Sequence, residues 1–271
     1  MNNVTLLTIL LFPVFLFSQT QNNATKEYTI NSSVFHAERE ICVFVPHLNQ
    51  PTDSLPVIYL FDAQWEEFYA FTNATLGYLI AINRFPACIL VGIKSVDRQF
   101  ELTPPPVNDD WKMPELGGSN LLEAHLLREV FPLIDSIYNP SPYRLAIGHS
   151  LGGTFILNSL VDCPELFHDY LAMSPNLQLD EGELVLKINR NLKEISQLDK
   201  SVFISIGSEG EIDDLFRPFV EKLNESMQKL EQPTFQWHFE LSEKMDHATI
   251  PLSSIYRGLL HLSELIKSTI K

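Results

Sequence analysis

Gly148, Ser150 and Gly152 stand in the pattern Gly-x-Ser-x-Gly, and the flanking residues give that pattern a context. A mainly apolar run, residues 143–147, comes directly before it, broken by Arg144. A small-residue and apolar stretch, residues 152–157, follows. This is the layout of a strand, a sharp turn and a helix with one serine at the apex, a nucleophile elbow. The backbone of such a serine is strained, and side chains on its near neighbours would collide with strand and helix, so glycines flank it. The helix that begins there aims N–H groups at any negative charge developing nearby. A hydroxyl is a poor nucleophile at neutral pH. Ser150 therefore needs a base, and the base needs an orienting partner.

In the α/β-hydrolase fold that carries this elbow, the chain order is serine, acid, histidine. Open α/β sheets place their sites at the C-terminal ends of the strands. Of the eight histidines, His36, His47, His125 and His149 precede Ser150. His168 follows the elbow helix closely, His238 sits in an alternating strand, and His261 lies within the last helix. His247 stands in a polar loop, residues 243–247, between the last predicted strand and the last predicted helix, where the base belongs. For the acid, a predicted strand over 202–206 runs into Gly207-Ser208-Glu209-Gly210-Glu211. A carboxylate just past such a strand can accept the imidazole N–H, which makes Glu209 the first choice and Glu211 the second. Asp213 and Asp214 are assigned to the first turn of the next helix, where acids suit the dipole. A Ser–His dyad with neither glutamate engaged is the alternative. An oxyanion hole requires preorganised N–H donors. Leu151 supplies one, and Ala63 or Gln64, in the loop after an apolar strand at 57–61, supplies the other. Trp65 lines the pocket or joins the core, and His149, beside the nucleophile, is expected at the substrate.

These residues need a scaffold, and the rest of the chain reads as one. Strands are expected at 27–30, 40–45, 56–61, 87–93, 169–174, 201–207 and 235–241, besides the one before the elbow. Helices are expected at 66–83, 121–138, from the elbow to about 162, at 212–230 and at 251–267. Strands alternating with helices at this spacing imply a mostly parallel central sheet with helices on both faces, an α/β-hydrolase fold. Residues 94–120, rich in Pro, Gly, Asn and Asp, form a long loop expected to rim a site. With no repeat, low-complexity tract or linker, residues 19–271 read as a single domain.

The chain has 271 residues, 45% of them hydrophobic, and a formal net charge of −15. The acidity argues against nucleic-acid binding, which needs a basic face, and gives no help toward anionic membranes or substrates. Residues 4–17 are almost wholly apolar, and polar residues begin at Ser18. The run is short for a membrane span and matches the core of a secretory signal, so residues 1–18 are expected to be a leader. They lack the usual basic residues before the apolar core. An exported protein, periplasmic or secreted, follows, with no stable membrane insertion after cleavage. Cys42, Cys88 and Cys163 are too few and too scattered for a disulfide framework. No His/Cys/Asp cluster has metal-ligand spacing, so neither a metal nor a cofactor is expected.

Several stretches resemble the esterase D type of esterases among the α/β-hydrolases. That family includes esterases of trilactone siderophores such as enterobactin and bacillibactin. The stretches are Val-Ile-Tyr-Leu-Phe-Asp at 57–62, Val-Asp-Arg-Gln-Phe-Glu-Leu-Thr-Pro-Pro at 96–105, the elbow region at 141–153, Tyr-Leu-Ala-Met-Ser-Pro at 170–175, and residues 247–259. The resemblance implies Ser150 as nucleophile and His247 as base. Relatives often carry Asp-Gly where this chain has Asp62-Ala63, and the acid position varies among them. Such esterases bind anionic ferric complexes, for which Arg98, Lys94 or Lys112 would have to form a local basic rim. Arg98 is equally readable as a structural ion-pair partner. The expected activity is hydrolysis of a small-molecule carboxylic ester through an acyl-enzyme. The rivals are a thioesterase or acyltransferase, and a non-catalytic binding protein on a hydrolase scaffold.

Overall fold

The computed structural model describes residues 25–46, 54–230 and 234–269. The expected leader lies outside them, as does most of the turn expected at 49–54. Eight strands of the described residues form one sheet: β1 (Lys26–Ser32), β2 (Ala37–Phe44), β3 (Val57–Phe61), β4 (Ile89–Ile93), β5 (Arg144–His149), β6 (Asp169–Met173), β7 (Lys200–Gly207) and β8 (Phe235–Ser242). Their order is β1-β2-β4-β3-β5-β6-β7-β8. The β1–β2 hairpin pairs antiparallel to β4, and every later pairing is parallel. The helices are α1 (Glu66–Ala81), α2 (Arg98–Glu101), α3 (Ser119–His125), α4 (Phe131–Tyr138), α5 (Leu151–Asp162), α6 (Glu183–Arg190), α7 (Leu192–Ile195), α8 (Glu211–Met227) and α9 (Ile250–Thr269). This is an α/β-hydrolase fold.

The unbroken apolar run of β3 is explained by its position between two helical layers. Val57, Tyr59 and Phe61 enter one buried cluster with residues of α3, α4, α5, α6 and α8. Ile58 and Leu60 point the other way, into a cluster with α1 and α9. Aromatic rings meet in the first: Phe61 lies 4.8 Å from Phe155, and Tyr59 lies 4.8 Å from Phe131. Burying each such side chain contributes about 1.5–3 kcal/mol. The helical stripe expected at 121–138 is interrupted by a π-helical turn at Leu126–Val130. Pro132, at the start of α4, has no N–H to give and blocks a regular ladder. The polar segment at 94–120 holds α2, a 3-10 turn, Asp109–Trp111, and at its end the start of α3, and is otherwise irregular. Helices α6 and α7 fall in a stretch to which the sequence reading assigned no element. No helix among the described residues is long and apolar enough to cross a membrane.

The consequence for chemistry is geometric. The parallel strands β3, β5, β6, β7 and β8 all end on the same side of the sheet. The turns after them therefore bring residues 62–65, Ser150, Ser174, residues 208–211 and His247 to one edge.

Candidate active site

Ser150 has φ 57° and ψ −120°, a strained conformation for an L residue. It is held there by its own amide, which donates to Met173 O at 2.9 Å on β6. The turn closes so tightly that a Cβ on Gly148 would lie 2.3 Å from backbone atoms of Gly152. Helix α5 begins at Leu151, and its first amides have no carbonyl one turn earlier to bond. The Ser150 hydroxyl, half-buried, makes no hydrogen bond among the described residues.

His247 sits between β8 and α9, in a loop tied to the end of β7. Glu209 N donates to Met245 O at 3.1 Å, and Lys244 N donates to Ser208 Oγ at 2.9 Å. Asp246 accepts from the amides of Ala248 and Thr249, which starts α9 and holds its carboxyl below the usual range, with the Thr249 hydroxyl bond the largest cause. His247 is held by its ring and by its backbone. Its Nδ1 lies 2.8 Å from Ser174 Oγ and 3.4 Å from Asp213 Oδ1. Its backbone carbonyl accepts a 2.8 Å bond from His149 Nε2. The two imidazole rings lie 4.6 Å apart, and Phe216 meets the His247 ring edge-on at 5.4 Å.

Asp213, not Glu209, is the carboxylate brought to His247. It lies in the first turn of α8 and is fully buried. Its Oδ1 accepts the Ser174 hydroxyl proton, while its Oδ2 has no hydrogen-bond partner. Space for it depends on Gly207, where a Cβ would stand 2.1 Å from Asp213 Oδ2. Glu209 and Glu211 are exposed and make no side-chain hydrogen bond or ion pair among the described residues. A signal for Asp213 was present in the sequence. It shares a helical face with Phe216, Val220, Leu223 and Met227, all buried. A carboxylate at the head of an apolar stripe points inward, whereas the flanking acids point to water.

The loop after β3 corrects a second expectation. Ala63 N donates to Ile93 O at 3.0 Å, so this amide is already engaged. The Gln64 amide makes no hydrogen bond among the described residues, and its side chain is clamped at both ends. Gln64 Nε2 donates to Asp62 Oδ1 at 3.0 Å, and Gln64 Oε1 accepts from Ser95 N at 3.0 Å.

The side chains expected at the substrate are mostly engaged with the protein. Arg98 forms a two-pronged pair with the fully buried Asp62, at 2.7 and 2.9 Å, and donates to His149 O at 3.4 Å. Burial pushes the Asp62 carboxyl up, and Arg98 opposes that shift. The exposed Trp65 ring lies beneath the Arg98 guanidinium, 4.7 Å away. His149 is buried and holds the His247 carbonyl rather than facing open space. Burial, and then the neighbouring His247, push its imidazole down to about 3, so it is neutral and its Nε2–H is the donor. The two lysines expected at a basic rim are paired as well: Lys94 with Glu27 and Glu40, and Lys112 with Asp109.

Residues 32–246 match the family model described as "Putative esterase". The chain belongs to that family. The curated ferri-bacillibactin esterase BesA of Bacillus subtilis (strain 168) is 28% identical to this family member over 167 residues, 54% of this chain. The match spans only 56% of BesA. Among solved structures, the BES protein of Bacillus cereus aligns with a TM-score of 0.77 at 21% identity, covering 96% of this chain and 99% of that one. An IroE-like serine hydrolase of Shewanella oneidensis aligns with a TM-score of 0.76 at 22% identity, covering 89% and 80%. In this esterase-family chain, Asp213 and Ser174 meet His247, and sequence reasoning placed neither of them at the candidate site.

Proposed function

We propose that the protein hydrolyses small-molecule carboxylic esters with Ser150 as nucleophile, His247 as base and Asp213 as the acid that orients it. The observation that carries this reading is the seating of the His247 ring. Its Nδ1 edge faces the buried Ser174 and Asp213, which leaves Nε2 as the nitrogen available to a nucleophile. The elbow serine comes from the strand next to β6, and its neighbour His149 holds the same histidine by its carbonyl.

Nε2 takes the Ser150 proton as Oγ attacks the ester carbonyl. The amides of Leu151 and Gln64 receive the oxyanion, Leu151 as the first amide of α5 and Gln64 as the unengaged amide of the loop after β3. The imidazolium that forms is stabilised by the Asp213 carboxylate. It returns the proton to the leaving alkoxide, so the alcohol departs neutral and an acyl-Ser150 remains. Water then attacks the acyl carbon as Nε2 takes its proton; the acyl–Oγ bond breaks, Nε2 returns that proton to Ser150 Oγ, and the carboxylic acid leaves. The whole acts as one domain, as the single sheet supports.

A lactone siderophore is one candidate substrate, since a relative is named for a ferri-bacillibactin esterase activity. The pairing of Arg98, Lys94 and Lys112 favours a neutral or weakly charged ester over a highly anionic ferric complex. The test is Ser150→Ala. Hydrolysis of a short p-nitrophenyl ester is expected to disappear, and so is labelling by a fluorophosphonate probe, with the melting temperature preserved. Near-full activity in that variant would remove the mechanism. No labelling of the unmodified protein would favour a binding role.

A further inference from the structure

We infer that Ser174 is a positioning residue of this site: its hydroxyl links Asp213 to His247 and sets which imidazole nitrogen is free. The inference rests on the Ser150–His247–Asp213 reading and extends it.

The distances favour an indirect link. An N–H···O bond is strong at about 2.7–3.2 Å. His247 Nδ1 lies 3.4 Å from Asp213 Oδ1, outside that range, and 2.8 Å from Ser174 Oγ, inside it. Proton counting then fixes the direction. An ionised carboxylate only accepts, so the single Ser174 proton goes to Asp213 Oδ1. With that proton engaged, Ser174 Oγ can only accept from His247 Nδ1, which must carry its own N–H. The ring is therefore the Nδ1–H tautomer, and Nε2 keeps the lone pair that a general base needs.

The backbone at Ser174 is consistent with a retained function. It has φ +41°, a left-handed conformation that glycine adopts at less cost. Its amide donates to Ser205 O at 2.7 Å, and the residue is fully buried. Burial excludes it as a second nucleophile, because no substrate carbonyl reaches it. What remains for the hydroxyl is the link between the carboxylate and the ring.

The experiment uses Ser174→Ala and Ser174→Gly, the second suited to the local backbone should the first fold poorly. For either variant kcat is expected to fall about 10- to 100-fold, the rate equivalent of one hydrogen bond to a charged group. KM stays within about twofold, because the substrate is not touched. Adding either change to Asp213→Ala costs little more, since both act along one link. Unchanged kcat overturns the inference, as do a KM that rises along with the fall in kcat and losses that simply multiply in the double variant. If Ser150→Ala abolishes activity while the Ser174 variants are silent, only the link is wrong. If Ser150→Ala is active, the site reading itself has failed.

Discussion

Replacing Asp213 by alanine removes the carboxylate 3.4 Å from His247 Nδ1. While the imidazole is neutral, that charge does little for it. Once Nε2 has taken the Ser150 proton, the ring is cationic and the full attraction applies. At an effective dielectric constant of about 20, two unit charges at that separation attract by about 5 kcal/mol. A tenfold rate change is about 1.36 kcal/mol, so the variant should lose about 1,000- to 10,000-fold in kcat. Screening by Ser174 and by water entering the vacated space pulls the value toward the lower end. KM should move little, because the interaction exists only when the ring is charged. Initial rates on a p-nitrophenyl ester measure both parameters, and a thermal melt checks the fold. Glu209→Gln and Glu211→Gln serve as controls and should stay within about twofold of the unmodified protein, since solvent-exposed acids without a partner contribute little. The reasoning fails if Asp213→Ala keeps more than about a tenth of kcat, or if Glu209→Gln falls as far as Asp213→Ala does.

Gly148→Ala should distort the elbow, because its new methyl would meet the backbone of Gly152, which cannot rotate away. Activity on the same ester should fall about 100-fold or more, with reduced fluorophosphonate labelling; a fully active variant would contradict the turn geometry. Arg98→Ala should cost about 3 kcal/mol in denaturant unfolding, toward the low end for breaking a buried pair because Arg98 is 23% exposed. That loss depends on pH with a definite sign. The Asp62 carboxyl is already pushed up by burial in the folded state, and without Arg98 it rises further. Where the folded state holds this proton and the unfolded state does not, stability falls as pH rises. The deficit should be complete above the raised folded value and shrink in acid as Asp62 becomes neutral. A deficit that is the same at every pH would mean Asp62 is not its source.

The elbow turn, the sheet and the placing of His247 at the same edge as Ser150 were legible because each depends on local pattern. The apolar run before Ser150, the glycines around it and the small residues after it prescribe a strand, a turn and a helix whatever packs against them. Chain order then left His247 in the one loop between the last strand and the last helix. The carboxylate that meets His247 was not legible by proximity to a strand end. Glu209 lies nearer the end of β7, but it is exposed, just before the chain turns at Gly210 with φ 90°. The periodicity of α8 held the better clue in Asp213, yet the same residue is also an ordinary first-turn acid for a helix dipole, and the two roles look alike in sequence. Ala63 was a reasonable oxyanion donor until the partner of its amide was known.

What this amino-acid order determines alone is the alternation of strands and helices, the glycine-framed serine and the late histidine. These follow from side-chain size, polarity and period, which act within a few residues. What only the tertiary structure decided is which atoms meet. Asp213, Ser174 and His149 converge on His247 from three separate elements. Arg98 is drawn to Asp62 across 36 positions of chain. Hydrogen bonds depend on distances of a few tenths of an ångström, and those are set by how whole strands and helices pack, which no local run of residues specifies.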